Sequence, residues 1–206
     1  MGTTDHYFTA RPASPAEQRP LSVTLAGRAV TVRTAGGVFS PERLDKGTAV
    51  LLREAPAPPP TGTFLDLGCG WGPVALSLAL HSPEATVHAV DVNERALDLL
   101  RANARSLGLE NVHASQPGGI PDAVRFDVIW SNPPIRVGKA VLHEMLLGWL
   151  PRLAPGGAAH LVVQKNLGSD SLQRWLGEQL DPATYAVSRF TSDKGFRILE
   201  VRRSAS

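Results

Sequence analysis

The chain has 206 residues, 43% of them hydrophobic, with one cysteine and a formal net charge of +2, which suits one ordinary globular domain with a sizeable core. The single cysteine, Cys69, excludes an internal disulfide and a Cys-rich zinc site, and no apolar run approaches the ~20 residues of a membrane span. The near balance of charge lacks the strongly basic signature of a dedicated nucleic-acid binder, and the first six residues carry no leader pattern, so a cytoplasmic location is expected.

In chain order, β-like runs at 21–25 and 29–33 flank Ala26-Gly27-Arg28 and predict a hairpin. A helix is expected over 45–54, and the proline-rich stretch 55–62 reads as an extended connector. Residues 1–54 hold too few core candidates to fold alone, so they are expected to pack as an extension on a main domain at 63–206. There, strand patterns at 63–67, 86–90, 111–114, 127–130 and 158–164 alternate with helical patterns at 73–81, 93–107 and 139–153. A helix at 170–180 precedes two strands, 185–190 and 196–202, close enough together to form a hairpin. The alternation predicts βαβ units. The expected fold is α/β: a mixed, mostly parallel seven-stranded sheet with helices on both faces and an antiparallel C-terminal hairpin.

Three local patterns carry chemistry. Asp66-Leu67-Gly68-Cys69-Gly70-Trp71-Gly72 runs from a strand through a glycine turn into a helix. Glycines let a ligand approach the backbone, although a tight strand-to-helix turn needs them in any case. The run is neither a Walker loop nor Gly-x-Gly-x-x-Gly, and the charge of Asp66 suits a ligand with an ammonium or sulfonium group. The next strand ends at Asp91-Val92, where a carboxylate can accept hydrogen bonds from a ribose diol. The fourth ends in Ser131-Asn132-Pro133-Pro134-Ile135. Proline restricts the preceding residue to extended backbone, so Asn132 can aim its carbonyl, together with nearby backbone carbonyls, at a flat –NH2 group. By itself Asn-Pro-Pro-Ile fits a plain turn equally well.

Together these patterns resemble the class I S-adenosylmethionine-dependent methyltransferases, whose fold is Rossmann-like: Asp66–Gly72 resembles their motif I, Asp91 their ribose-binding acid, and Ser131–Ile135 their motif IV. Val38–Thr48, Arg136–Lys139 and Lys194–Leu199 extend the likeness to the small-domain methyltransferase family that contains the bacterial small-subunit rRNA guanine-N(2) methyltransferases. The resemblance implies S-adenosyl-L-methionine held by Asp66, Gly68, Cys69, Gly70, Gly72, Asp91, Val92 and Gln116, with Asn132 alongside. It implies Asn132 and Pro133 as the catalytic pair that orients a guanine amine, and Phe39, Pro134, Ile135, Arg136 and Lys139 on the substrate side. The implied partner is RNA, as rRNA or a ribosomal particle, with no metal. Ile135 stands where many relatives carry an aromatic. Family members often have two tandem domains, so RNA positioning is expected to fall to the N-terminal segment. Trp71 is open between sheltering the cofactor's methionine end and serving the core. The rival functions are methylation of a protein glutamine or a small-molecule amine, and a non-catalytic RNA-binding domain.

Overall fold

The computed structural model describes residues 17–206; residues 1–16 of the expected extension lie outside the described residues. Strands β1 (Gln18–Leu25) and β2 (Arg28–Ala35) form the N-terminal hairpin. Its turn is two residues long, Ala26 and Gly27, both at positive φ, the mirror-image turn that matches the twist of paired strands. Helix α1 (Lys46–Glu54) starts at Asp45, whose side chain accepts from the Thr48 N–H at 3.0 Å. That bond satisfies one of the unpaired donors of the first turn.

Next come β3 (Thr63–Leu67), α2 (Pro73–His81), β4 (Thr86–Val90), α3 (Glu94–Ser106), β5 (Val112–Ser115) and β6 (Phe126–Ser131). They are followed by α4 (Lys139–Trp149), β7 (Leu153–Gln164), α5 (Ser169–Gln179), β8 (Tyr185–Asp193) and β9 (Phe196–Arg203). The last seven strands form one sheet in the order β5-β4-β3-β6-β7-β9-β8, parallel up to β7 and antiparallel across β9 and β8. Side chains alternate between its faces. Phe64, Val128 and Trp130 join α1, α2, α3 and the hairpin in one core layer. Leu65, Ile129 and Leu161 join α4 and α5 in the other. This is the Rossmann-like architecture of the expected fold.

Two boundaries differ from expectation by four residues or more. Helix α4 stops at Trp149 rather than running to 153, because Pro151 turns the chain into a short 3-10 segment, Leu150–Arg152. Strand β7 then begins at Leu153 instead of 158. Its pairing jumps from Phe126↔Leu153 to Val128↔Ala158, so the intervening residues bulge. The Pro155-Gly156-Gly157 run reads locally as a turn, yet Gly157 is pressed so closely on β6 that a Cβ would lie 2.7 Å from the Phe126 carbonyl oxygen.

The hairpin is stitched to the sheet layer by buried amides. Asn103 of α3 accepts the Arg33 N–H at 2.7 Å and donates to the Arg33 and Trp71 carbonyls at 3.0 and 3.1 Å. It thus pairs β2 as a neighbouring strand would. Asn93 caps α3 and donates to the Gly37 carbonyl at 2.8 Å. Among the described residues no helix is long and apolar enough to cross a membrane.

Candidate active site

The chain leaves β3 toward β4 and β5, then returns to place β6 on the other side of β3. Such a switch point opens a crevice at the carboxyl ends of the strands. The Ser131 hydroxyl, fully buried, donates to the Leu67 carbonyl at 2.6 Å and locks the two strand ends together. Over them lies a cleft of about 380 Å³ bordered by Gly68, Gly70, Asp91, Val92, Asn132 and the turn that follows. A small recess of about 20 Å³, walled by Asp66, Cys69 and Trp71, adjoins it and shares Gly68, Gly70, Asp45 and Asn132.

The three motif glycines do different things. The N–H groups of Gly68 and Cys69 both donate to the Val90 carbonyl, at 2.9 and 3.0 Å, hooking the loop onto the end of β4. At Gly68 (φ 80°) a Cβ would meet nothing within 4 Å, and at Gly70 (φ 54°) only the Phe39 Cβ at 4.0 Å. These two leave open space against the backbone. At Gly72 a Cβ would lie 2.2 Å from Leu100 Cδ1. Its bare backbone serves the packing of α2 on α3, not a ligand.

Asp66 is buried and accepts the Ala75 N–H at 2.9 Å in the first turn of α2. Loss of hydration raises its pKa, and although the Ala75 bond opposes this, the nearby Asp91 adds to it; the carboxyl is pushed up to about 8. The same burial, reinforced by Asp91 and Asp66, holds the Cys69 thiol well above its ordinary range, so it is no nucleophile. Asp91 is raised by burial too, against the N–H groups it accepts. Its Oδ2 takes the Gly70 N–H and its Oδ1 the Asn93 N–H, both at 2.9 Å. Beside these and the Val92 N–H, the carboxyl keeps acceptor capacity for a ligand.

At the end of β6 the Asn132 side chain donates through Nδ2 to Asp45 Oδ2 at 2.8 Å and to Thr48 Oγ1 at 3.0 Å. Its Oδ1 is left as the acceptor. The Pro133 carbonyl accepts the Ile135 N–H at 2.9 Å, closing an inverse γ-turn centred on Pro134 at φ −76°, ψ 74°. Phe39, Pro134, Ile135 and Arg136 all border the cleft.

Five of the expected site residues lie outside the cleft lining. Asp66 and Cys69 border only the adjoining recess and Gly72 packs on α3. Gln116 is exposed, with its amide 3.4 Å from Glu94. Lys139 is exposed at the start of α4, outside the cleft lining. Trp71 is a core residue, 1% exposed, its indole N–H donating to the Ser40 carbonyl at 3.3 Å. Conversely, Asp45 and Phe196 border the cleft without having been singled out. Asp45 reads as an ordinary helix cap. Phe196 follows the tight turn Lys194-Gly195 in the C-terminal hairpin, which the Lys165 N–H ties to β7 through the Gly195 carbonyl at 2.9 Å.

The sequence matches the model of the family described as Methyltransferase small domain over residues 29–200. The chain belongs to this family. It is 34% identical over 202 residues to Uncharacterized protein YbxB of Bacillus subtilis (strain 168), covering 97% of this chain and 98% of that one. It is 33% identical over 153 residues to Ribosomal RNA small subunit methyltransferase C of Shewanella halifaxensis (strain HAW-EB4), covering 72% of this chain and 44% of that one. In fold it resembles the T. thermophilus 16S rRNA N2 G1207 methyltransferase (RsmC) in complex with AdoMet and guanosine. The TM-score is 0.70 at 24% identity, over 93% of this chain and 52% of that one. The chain therefore spans about half the length of the ribosomal RNA methyltransferases it matches.

The family's cofactor is S-adenosyl-L-methionine. The chain's own residues fit it: two glycines leave room against the backbone, Asp91 keeps acceptor capacity beside them, and the Asp66 carboxyl stands buried without a cation in the adjoining recess.

Proposed function

We propose that the protein methylates the exocyclic amine, N2, of a guanine in ribosomal RNA. The observation that carries this is the Asn132 side chain, which meets the cleft with its NH2 group already bound elsewhere and its oxygen left to accept. A guanine amine is a planar nitrogen whose lone pair is delocalised into the ring. Accepting its N–H groups at Asn132 Oδ1, and at the remaining lone pair of the Pro133 carbonyl, draws the nitrogen toward pyramidal geometry and orients that lone pair toward the methyl carbon. The same two acceptors stabilise the positive charge that grows on nitrogen.

S-adenosyl-L-methionine supplies the electrophilic methyl group, and the chain's contribution is to bind and align. Gly68 and Gly70 admit the cofactor against the backbone, Asp91 and Val92 take its nucleoside end, and Asp66 faces its cationic end. Phe39 and Phe196, from opposite ends of the chain, supply the aromatic surface that Ile135 lacks. Arg136 at the rim, with Lys139 beyond it, takes a phosphate. The N-terminal hairpin and α1, residues 17–54, present the RNA to this cleft. The relatives named for ribosomal RNA methylation support the substrate class, and a substrate that forms part of the ribosome fits a cytoplasmic protein.

The deciding experiment is mass spectrometry of ribonucleosides from cells with and without the gene. Loss of one N(2)-methylguanosine from ribosomal RNA is the expected result. Unchanged RNA modification would overturn the proposal and direct the search to protein glutamines and small amines.

A further inference from the structure

We propose that Asp45 is a positioning residue that fixes which atom of the Asn132 amide faces the cleft. The inference rests on the role given above to Asn132. An amide side chain presents oxygen on one side and NH2 on the other, and a half-turn about its last bond exchanges them at almost no steric cost. In the cleft that exchange decides the chemistry. Oxygen accepts an amine N–H, whereas NH2 would meet it donor to donor.

Asp45 removes the ambiguity. Its carboxylate oxygen can only accept, and Oδ2 lies 2.8 Å from Asn132 Nδ2. The second neighbour, Thr48 Oγ1 at 3.0 Å, both donates and accepts, so it would tolerate either orientation. The direction comes from Asp45 alone. The carboxylate is itself pinned, because the same Oδ2 accepts the Thr48 N–H at 3.0 Å as the cap of α1. Gly47 lets the first turn of the helix close on the pair: a Cβ there would lie 3.0 Å from Asp45 Oδ2 and 3.4 Å from Asn132 Nδ2. Donation to a charged partner also strengthens the amide dipole and leaves more negative charge on Oδ1. A helix cap 87 residues away in the chain thereby sets the polarity of the acceptor site.

Two variants separate this role from plain capping. Asp45→Ser keeps an oxygen that caps the helix, but its hydroxyl is one bond shorter and loses Asn132. Asp45→Asn keeps an oxygen in the Oδ2 position, held there by the Thr48 N–H. On ribosomal RNA from cells lacking the gene, Asp45→Ser is expected to lower kcat on the order of tenfold, the worth of one charge-assisted hydrogen bond. Its melting temperature and its calorimetric Kd for S-adenosyl-L-methionine stay near wild type. Asp45→Asn recovers most of the lost turnover.

In nitrogen-15 spectra of the full chain, the Asn132 side-chain NH2 pair is identified by its disappearance in Asn132→Ala. Its protons should exchange slowly in wild type and Asp45→Asn, and fast in Asp45→Ser. Unchanged kcat and exchange in Asp45→Ser would overturn the proposal, as would an Asp45→Asn as impaired as Asp45→Ser. The second comparison decides even if Asp45→Ser melts early. A wild type inactive both on ribosomal RNA and on ribosomal particles from those cells would refute the substrate assignment, and the exchange rates would still decide the role of Asp45.

Discussion

Asp66 carries a carboxyl that folding moves from its ordinary value of 3.8 to about 8. The folded chain therefore holds this proton where the unfolded chain has released it. Stability from that proton is complete below about pH 4 and is lost progressively as pH rises to about 8. Asp66→Asn should raise the melting temperature of the ligand-free protein, by an increment that grows between pH 5 and pH 8. An increment independent of pH would contradict this. A cation bound in the recess favours the ionised carboxylate, so cofactor affinity should increase with pH up to about 8 and vanish in Asp66→Asn, measured by calorimetry. Asp91 differs, since both of its oxygens already accept backbone N–H groups. Asp91→Asn turns one acceptor into a donor aimed at an N–H. The substitution also removes the charged acceptor proposed for the cofactor's ribose; such a bond is worth about 1.5–3 kcal/mol, so cofactor Kd should rise by tenfold or more, read by the same titration.

Helices and strands place these residues through contacts that single motifs do not display. Gly72 caps the start of α2, and the space its side chain would need is filled by Leu100 of α3. Gly72→Ala should destabilise the fold by about 1–3 kcal/mol through overpacking, with added strain from its φ of 99°. Urea denaturation should register this with the slope unchanged. Asn103 of α3 takes both peptide groups of Arg33 and the Trp71 carbonyl. Asn103→Leu leaves the buried Trp71 carbonyl without its partner, at about 1–3 kcal/mol, and the part-buried Arg33 peptide groups at less. The hairpin should then exchange its amide protons faster than the sheet does, a difference visible by hydrogen exchange. These element-level features were partly legible. The strands at 63–67 and 86–90 and the helix at 73–81 form with the expected bounds, because each is a clean apolar run between strong stop signals. Strand β7 was shortened in expectation because a proline and two glycines inside it mimic a turn.

The whole molecule brings the two ends of the chain to one cleft. Phe39 comes from the loop before α1 and Phe196 from the last hairpin, which the Arg53–Asp193 ion pair ties to α1. Neither position is near motif IV in sequence. Stacking on one base is worth about 1–3 kcal/mol, so Phe196→Ala should raise KM for RNA about five- to a hundredfold and leave cofactor Kd unchanged. Steady-state kinetics on RNA beside calorimetry on the cofactor would read both, and an unchanged KM would remove Phe196 from the substrate surface.

The order of strands and helices, the glycine turn after β3, the acid after β4 and the Asn-Pro-Pro turn after β6 followed from the sequence itself, because each depends on neighbours within a few residues. Only the tertiary structure decided how those parts are used. It assigned Gly72 to packing and Gly68 and Gly70 to the cleft, and it buried Asp66 until its proton is held near neutrality. It brought Phe196 to the cleft beside Phe39, and it bound the Asn132 NH2 group to Asp45 and Thr48, 87 and 84 residues away. Burial and long-range hydrogen bonds set these outcomes, and neither has a local signature in the chain.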